Sequence, residues 1–264
     1  MPSIAELTGP SDEFFLAAHD GVKCSRVLAD RPLGIGLATG LLAALVRGDW
    51  CQLWDGELFR TGAGQPRDEA LYALLARMEE DEQDWPPPPI PPAPRTYIAA
   101  HARTPYSQAW TPEARDDWRA PPVPQETRPA GSGHQVREWM AYLANKRRAE
   151  ALVGDRLASR GLVWREERGL PGFRSVRYVP RDTIVTGNPA SKVRTAAERG
   201  SALPWSGLFL AGLFLATGLH QHALATLKSS EHSTLQSLLQ GLDEQSLELL
   251  KTAQDAVGNA AAVR

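Results

Sequence analysis

Positive charge is concentrated between Arg137 and Arg181, and this concentration is the feature of the sequence best suited to do chemistry. The segment carries eleven basic and five acidic residues, a local net charge of +6, whereas the whole chain has a net charge of −2. Clustered guanidinium and ammonium groups attract phosphate, whether in lipid headgroups or in nucleic acid. The competing interpretation is a solvated surface on which these arginines form weak ion pairs with neighbouring carboxylates. Those carboxylates are Glu138, Glu150, Asp155, Glu166 and Glu167.

The sequence contains no residue arrangement typical of an enzyme or a metal site. Ser206 lies in Trp-Ser-Gly instead of the GxSxG of a nucleophile elbow. His220 and His222 stand two apart on a predicted helix and therefore face different directions, which disfavours joint metal ligation. The glycines between Gly34 and Gly40 lack the spacing of a dinucleotide-binding loop, and close helix packing explains them better. We therefore predict no catalytic residues, no metal ligands and no cofactor.

Composition narrows the class of protein further. With 42% apolar and 23% charged residues, the 264-residue chain is too apolar for a disordered protein and too nearly neutral for a dedicated polyanion binder. Its two cysteines, Cys24 and Cys51, form no disulfide framework, and no secretory signal is visible at its start. The uncharged stretches 32–46 and 203–219 are shorter than the about 20 residues that cross a membrane. We expect a cytoplasmic protein in which both stretches are buried helices.

Local patterns predict an order of elements that is mostly helical. Apolar spacing and flanking Gly or Pro residues predict helices at 13–18, 30–47, 66–78, 134–160, 189–199, 203–228 and 234–257. Alternating residues predict β-hairpins around Asp55-Gly56, at 50–59, and around a Gly-Leu-Pro-Gly tip, at 164–180. Residues 85–133 form a proline-rich insert that neither a helix nor a central strand tolerates.

This order resembles the Golgi phosphoprotein 3 family over residues 12–255, apart from the insert. The similar segments are the buried helix ending in Leu45-Val46-Arg47-Gly48, the Asp68-Glu69-Ala70-Leu71 helix, the helix from Lys146-Arg147 to Arg160-Gly161-Leu162-Val163, the hairpin, and Leu208 to Leu219. The resemblance implies one domain over residues 1–264, mainly α, with a helical bundle core wrapped by amphipathic helices and a projecting β-hairpin. Arginine outnumbers lysine by 24 to 5, which is more typical of a bacterial member.

The resemblance also implies a function. It points to a non-enzymatic peripheral membrane protein that binds phosphatidylinositol 4-phosphate and, in eukaryotes, links glycosyltransferase tails to coat proteins. Of the four positions that bind the headgroup in the family, Arg147 matches, whereas Leu28, Leu37 and Glu150 stand at the other three. A phosphate pocket needs several converging donors. We therefore expect an adaptor or scaffold on the cytoplasmic face of a membrane. We expect the run Lys146-Arg147-Arg148 to bind anionic or phosphoinositide lipid headgroups of that membrane.

The predicted geometry limits how that run and the hairpin act together. Adjacent residues on a continuous helix spread over more than half of its circumference, so at most two of the three cations can face one headgroup. The hairpin tip carries Leu170, Pro171 and Phe173, and in the family the hairpin serves membrane contact and self-association. Burying two such side chains contributes roughly a few kcal/mol, enough for reversible binding. We expect the tip and the cationic helix to point the same way.

Two other functions fit the same elements. One is an oligomeric protein-interaction module that assembles through the 164–180 hairpin without a lipid ligand and recruits protein clients that the sequence does not identify. The other is a winged-helix-like nucleic-acid binder with 136–160 as the reading helix and the hairpin as the wing. The apolar tip makes nucleic acid unlikely, because a wing on phosphates favours Lys, Arg or Gly.

Overall fold

The computed structural model describes residues 9–20, 25–84, 128–129, 131–168 and 175–261. The fold is mainly α, as the sequence predicts, and no helix in these ranges combines the length and the apolar character needed to cross a membrane. The helices are α1 (Pro10–Ala17), α2 (Asp30–Arg47), α3 (Glu69–Asp84), α4 (Val136–Ala144), α5 (Arg148–Ser159), α6 (Thr183–Arg199), α7 (Trp205–Thr217), α8 (His220–Ala223), α9 (Ser229–Leu239) and α10 (Glu244–Ala261). The strands are β1 (Cys51–Trp54), β2 (Glu57–Arg60), β3 (His134–Gln135), β4 (Val163–Arg168) and β5 (Ser175–Pro180).

Helix α2 is the centre of the core. Its sequence from Pro32 to Val46 contains no charged residue, and every residue from Leu33 to Ala43 is buried. It contacts α1, α4, α5, α7 and α10. Because other helices surround it, apolar side chains are needed on every face and not on a single stripe. The prediction of a buried helix over this stretch is confirmed.

Two glycines of α2 allow α1 to approach closely. A Cβ atom added at Gly36 would lie 2.3 Å from Cε1 of Phe14, and one at Gly40 would lie 2.9 Å from Cα of Ser11. Carbon atoms in contact normally stay about 3.5–4 Å apart, so any larger residue would force the two helices to separate. Close helix packing explains these glycines, as predicted, and a dinucleotide-binding loop does not.

Both predicted hairpins are present in the structure. Strands β1 and β2 pair antiparallel through a two-residue turn in which Asp55 and Gly56 both have positive φ, 49° and 75°, which is typical of a type I′ turn. Strand β3 extends this sheet on the outer side of β2. Strands β4 and β5 form the second hairpin, paired from Val163 with Pro180 to Arg168 with Ser175.

Two predicted helices are each divided in the structure. The helix predicted at 203–228 ends as α7 before Gly218, whose φ of 78° is left-handed and stops the helix. The helix predicted at 234–257 is two helices, α9 and α10. Helix α10 begins anew because the Asp243 side chain accepts the backbone N–H of Ser246 at 2.9 Å and so caps it.

Two other helices are longer in the structure than the sequence predicts. Helix α6 begins well before the predicted 189–199 because the Asp182 carboxylate accepts the backbone N–H of Ile184 at 2.8 Å, and Pro189 lies inside the helix. Helix α3 continues past the predicted 66–78 to its end at Asp84. Most of the proline-rich insert lies outside the described residues.

Candidate functional site

The basic run Lys146-Arg147-Arg148 lies at a break between two helices. A single 3₁₀ turn, Asn145–Arg147, separates α4 from α5. Lys146 and Arg147 both have a left-handed backbone, with φ of 51° and 59°. The continuous helix predicted at 134–160 is therefore wrong. A left-handed conformation costs an L-residue with a side chain roughly 1–2 kcal/mol, and such strain concentrates at functional sites.

The break opens onto a cleft of about 730 Å³, formed by the start of α2, by α4 and by the end of α10. The apolar part of its lining includes Ile35, Ala141 and Ala144. Four cations and one carboxylate lie among its described lining residues, which gives the cleft a net charge of +3. These charged residues are Arg31, Arg137, Lys146, Arg147 and Asp30. The arrangement suits an anionic group with an apolar body beside it.

Behind the cleft, a buried carboxylate holds Arg147. The guanidinium donates from Nε to Oε2 of Glu150 at 2.7 Å and from Nη2 to Oε1 at 2.6 Å. Oε1 also accepts Nη2 of Arg26 at 2.7 Å, and Arg26 pairs with Asp30 through Nη1. The Glu150 side chain is only 4% exposed. Burial raises the pKa of the Glu150 carboxyl, although the hydrogen bonds and the charge of Arg147 oppose the shift.

The structure separates the three predicted cations. Lys146 and Arg147 are brought together on the cleft lining. Arg148 donates from Nη1 to the carbonyl oxygen of Tyr142 at 2.8 Å, and its guanidinium lies 4.2 Å from the centre of the Tyr142 ring. That ring in turn contacts Trp139, with 5.4 Å between the ring centres. The Arg148 charge is therefore directed at an aromatic surface beside the cleft.

Two of the positions that the family resemblance implies for the headgroup lie outside the lining of the cleft. Leu37 is fully buried in the middle of α2, and Leu28 is half-buried against the core. Sequence reasoning missed Arg31 and Arg137, which reach the cleft from α2 and α4. One feature of the sequence pointed to Arg31: it lies in the first turn of a helix predicted to be buried, and a charged residue there indicates that this end of the helix reaches the surface. Arg137 begins the basic segment, but nothing in the sequence distinguishes it from the ten other cations there.

Part of the basic segment is structural. Arg156 donates from Nε to Oδ1 of Asp12 at 2.9 Å and from Nη1 to both carboxylate oxygens of Asp68 at 3.1 Å. Arg160 donates from Nη1 to Oδ2 of Asp12 at 2.8 Å. Asp12 is almost fully buried, and this burial raises its pKa, against the charge and hydrogen bonds of Arg156. These two arginines are therefore in ion pairs, but with buried Asp12 of α1 and with Asp68 before α3, and not with the carboxylates that the solvated-surface interpretation names. Pairs of the predicted kind join Arg147 to Glu150, and Arg165 to Asp155 and Glu167.

A larger cleft, of about 1120 Å³, has the opposite charge. Trp205 of α7 and Arg47 of α2 both line this cleft, and the Arg47 guanidinium lies 5.4 Å from the centre of the Trp205 ring. The acidic residues of its lining are Asp49, Asp55, Asp243, Glu244 and Glu248. In the described part of the chain, no three His, Cys, Asp or Glu residues are placed to hold a metal ion. This cleft repels anions, whereas the net charge of +3 in the smaller cleft attracts them, and this makes the basic cleft the candidate anion site.

The predicted hairpin tip falls outside the part of the chain that the structure describes. Leu170, Pro171 and Phe173 lie outside the described residues, between the end of β4 and the start of β5. On the described arm, Trp164 of β4 is 55% exposed, and the Arg181 guanidinium lies 3.6 Å from the centre of its ring.

Residues 123–260 match the sequence profile of the Golgi phosphoprotein 3 (GPP34) family. The match includes α4 to α9 and nearly all of α10, and with them Arg137, Lys146 and Arg147 of the basic cleft. No curated protein matches the chain.

Proposed function

Since this chain belongs to the Golgi phosphoprotein 3 family, we propose that it attaches reversibly to membranes by binding anionic lipid headgroups in its basic cleft. At the level of the family, membership brings a Golgi-associated lipid- or adaptor-type role, and the family is not known for catalysis. We therefore propose a non-enzymatic peripheral membrane protein that acts as an adaptor on a cytoplasmic membrane face.

The observation that carries the proposal is the helix break at Lys146 and Arg147. Two adjacent side chains leave the helix where the backbone is left-handed, and both line a cleft that Arg31 and Arg137 also reach. Four cations from three separate elements converge there. Convergence of donors from different elements is what an anion site requires and what a solvated helix face lacks.

The magnitudes support reversible attachment. A cation near a charged bilayer contributes about 1 kcal/mol, so the net charge of +3 contributes about 3 kcal/mol. Such an interaction weakens with salt because the screening length is about 8 Å at physiological ionic strength. We propose that Arg148 adds charge at the edge of the cleft, and that Leu170, Pro171 and Phe173 supply apolar contact through the hairpin tip.

Nucleic-acid reading receives less support from the same geometry. A reading helix presents free cations along one exposed face. Here the 136–160 segment is two helices, and its Arg156 and Arg160 are engaged with Asp12 and Asp68. We therefore keep lipid, and not nucleic acid, as the proposed ligand.

The test is co-sedimentation of the full chain with phosphatidylcholine vesicles that contain an increasing fraction of phosphatidylglycerol. Lys146→Glu and Arg31→Glu each change the cleft charge by two, so each weakens binding by about thirtyfold. Arg199→Glu is the matched control, because Arg199 is exposed at the end of α6 and outside the cleft. Leu170→Ser/Phe173→Ser tests the tip separately.

Three results would contradict the proposal. Binding that ignores the phosphatidylglycerol fraction excludes an electrostatic site. An equal loss in the Arg199→Glu control shows that net charge, and not the cleft, governs binding. Full binding by both cleft variants excludes the cleft itself.

Self-association through the hairpin is a second candidate, favoured by the exposed Trp164. Trp164 is 55% exposed on a two-stranded arm, and tryptophan is among the residues enriched at protein–protein interfaces. Light scattering on a size-exclusion column measures the mass of the wild type and of Trp164→Ser. A smaller particle for the variant supports assembly through this arm, and a wild-type monomer at every concentration contradicts it.

A further inference from the structure

We infer that Glu150 prevents the basic cleft from selecting phosphomonoester over phosphodiester headgroups, by occupying the guanidinium of Arg147. This inference rests on the proposed function, because it concerns which anion the same cleft accepts. Glu150 does not touch the headgroup in this proposal. It is a positioning residue that acts through Arg147.

The contact geometry supplies the first step. Arginine binds a phosphate most strongly when two parallel N–H groups meet two oxygens. In Arg147 that edge, Nε and Nη2, already meets both oxygens of Glu150, at 2.7 and 2.6 Å. The second guanidinium of the network, Arg26, is divided between Glu150 and Asp30. Both guanidinium groups behind the cleft are therefore bound by carboxylates of the chain itself.

Burial makes this arrangement hard to displace. The Glu150 side chain is 4% exposed, whereas the Arg147 side chain is 37% exposed. A phosphate that took the Nε and Nη2 edge of Arg147 would leave the buried carboxylate with Arg26 alone. Leaving a buried charge short of its partner is costly, so an incoming phosphate does not replace Glu150.

What remains for a ligand is diffuse charge. Among the described residues, no carboxylate pairs with Arg31, Arg137 or Lys146, and all three are exposed. Exposed cations on different elements attract an anion without the two-point contact that distinguishes one phosphate class from another. A phosphomonoester carries between one and two charges at neutral pH, and its strong binding depends on such contacts. A phosphodiester headgroup, with one charge, can bind through the diffuse attraction of these three cations alone.

The experiment compares two vesicle compositions of equal total negative charge. One contains phosphatidylglycerol, whose headgroup has a phosphodiester alone, and the other contains phosphatidylinositol 4-phosphate, whose headgroup has a phosphomonoester in addition to its phosphodiester. The wild type is expected to bind both equally, within about twofold. Glu150→Gln is expected to raise binding to the phosphomonoester vesicles by about tenfold relative to the phosphodiester vesicles, since it releases one charge-assisted two-point contact.

Asp30→Asn is the matched control for the charge change. It also removes one negative charge beside the cleft and Arg26, but it leaves the contact between Arg147 and Glu150 intact. It is expected to strengthen binding to both vesicle types by a similar factor, so that their ratio stays the same. A purely electrostatic or purely structural effect of Glu150→Gln would likewise leave the ratio unchanged.

The possible failures are distinguishable. A wild type that binds the phosphomonoester vesicles tenfold more tightly overturns the inference and leaves the proposed function standing, and this result does not depend on any variant folding. An unchanged ratio in a folded Glu150→Gln variant overturns it as well. A wild type that binds neither vesicle overturns the proposed function and, with it, this inference.

Discussion

Replacing Lys146 with glycine should make the protein more stable and its membrane binding weaker. Lys146 has φ of 51° and ψ of 23°, a left-handed conformation that costs a residue with a side chain about 1–2 kcal/mol. Glycine avoids that cost but loses more conformational entropy on folding, about 0.5–1 kcal/mol. The balance is a gain of about 0.5–1 kcal/mol in the free energy of unfolding, which raises Tm by about 1–3 °C in a chain of this size.

Lys146→Ala separates the backbone effect from the charge effect. Alanine also removes the ammonium group but keeps the cost of positive φ. Both variants should lose about fivefold in binding to anionic vesicles, because each removes one cation worth about 1 kcal/mol. Only the glycine variant should gain stability over the wild type.

Thermal unfolding of the three proteins, followed by circular dichroism, measures this difference directly. A glycine variant that melts at or below the alanine variant would show that residue 146 does not have a left-handed backbone in solution. The helix break would then be absent, and with it the reason why Lys146 and Arg147 line the cleft.

Three further predictions concern the core and the buried charges. Burial lowers the pKa of His19, so the folded state favours the neutral ring. The contribution of His19 to the free energy of unfolding is therefore complete above the ordinary histidine pKa. Below that pH it falls by up to about 1.4 kcal/mol per pH unit. Urea unfolding across that range should show a shallower pH dependence for His19→Asn than for the wild type. Gly36→Ala should lower the free energy of unfolding by about 1–3 kcal/mol, because the added methyl group meets the Phe14 ring of α1. Gly187→Ala should raise it by about 0.5–1 kcal/mol, because Gly187 faces open space on α6 and alanine favours a helix. Urea unfolding measures both changes. Arg156→Met should lower it by about 3 kcal/mol, measured in the same way, because the buried Asp12 loses its principal partner; a loss below about 1 kcal/mol would contradict this role.

The sequence by itself determined the parts of the fold that follow from local chemistry. The uncharged stretch before Arg47 predicted a helix buried on every face, and α2 is that helix. Asp55-Gly56 predicted a hairpin because few residues other than Asn, Asp and Gly adopt positive φ readily, and the turn lies there. Both rules depend on neighbours in the chain, and such rules can be read without coordinates.

The sequence named Lys146 and Arg147, but only the tertiary structure decided the geometry of the candidate site and the charges that share it. Lys146 and Arg147 carry no Gly or Pro signal, so the sequence predicted a continuous helix across the point where the structure breaks it. Ordinary residues become left-handed only when packing elsewhere compensates the cost. The partners in the cleft come from separate elements: Arg31 begins α2, Arg137 lies in α4, and buried Glu150 holds Arg147 from behind. Which charges converge and which are already neutralised depends on distances in space, and the order of residues along the chain does not contain them.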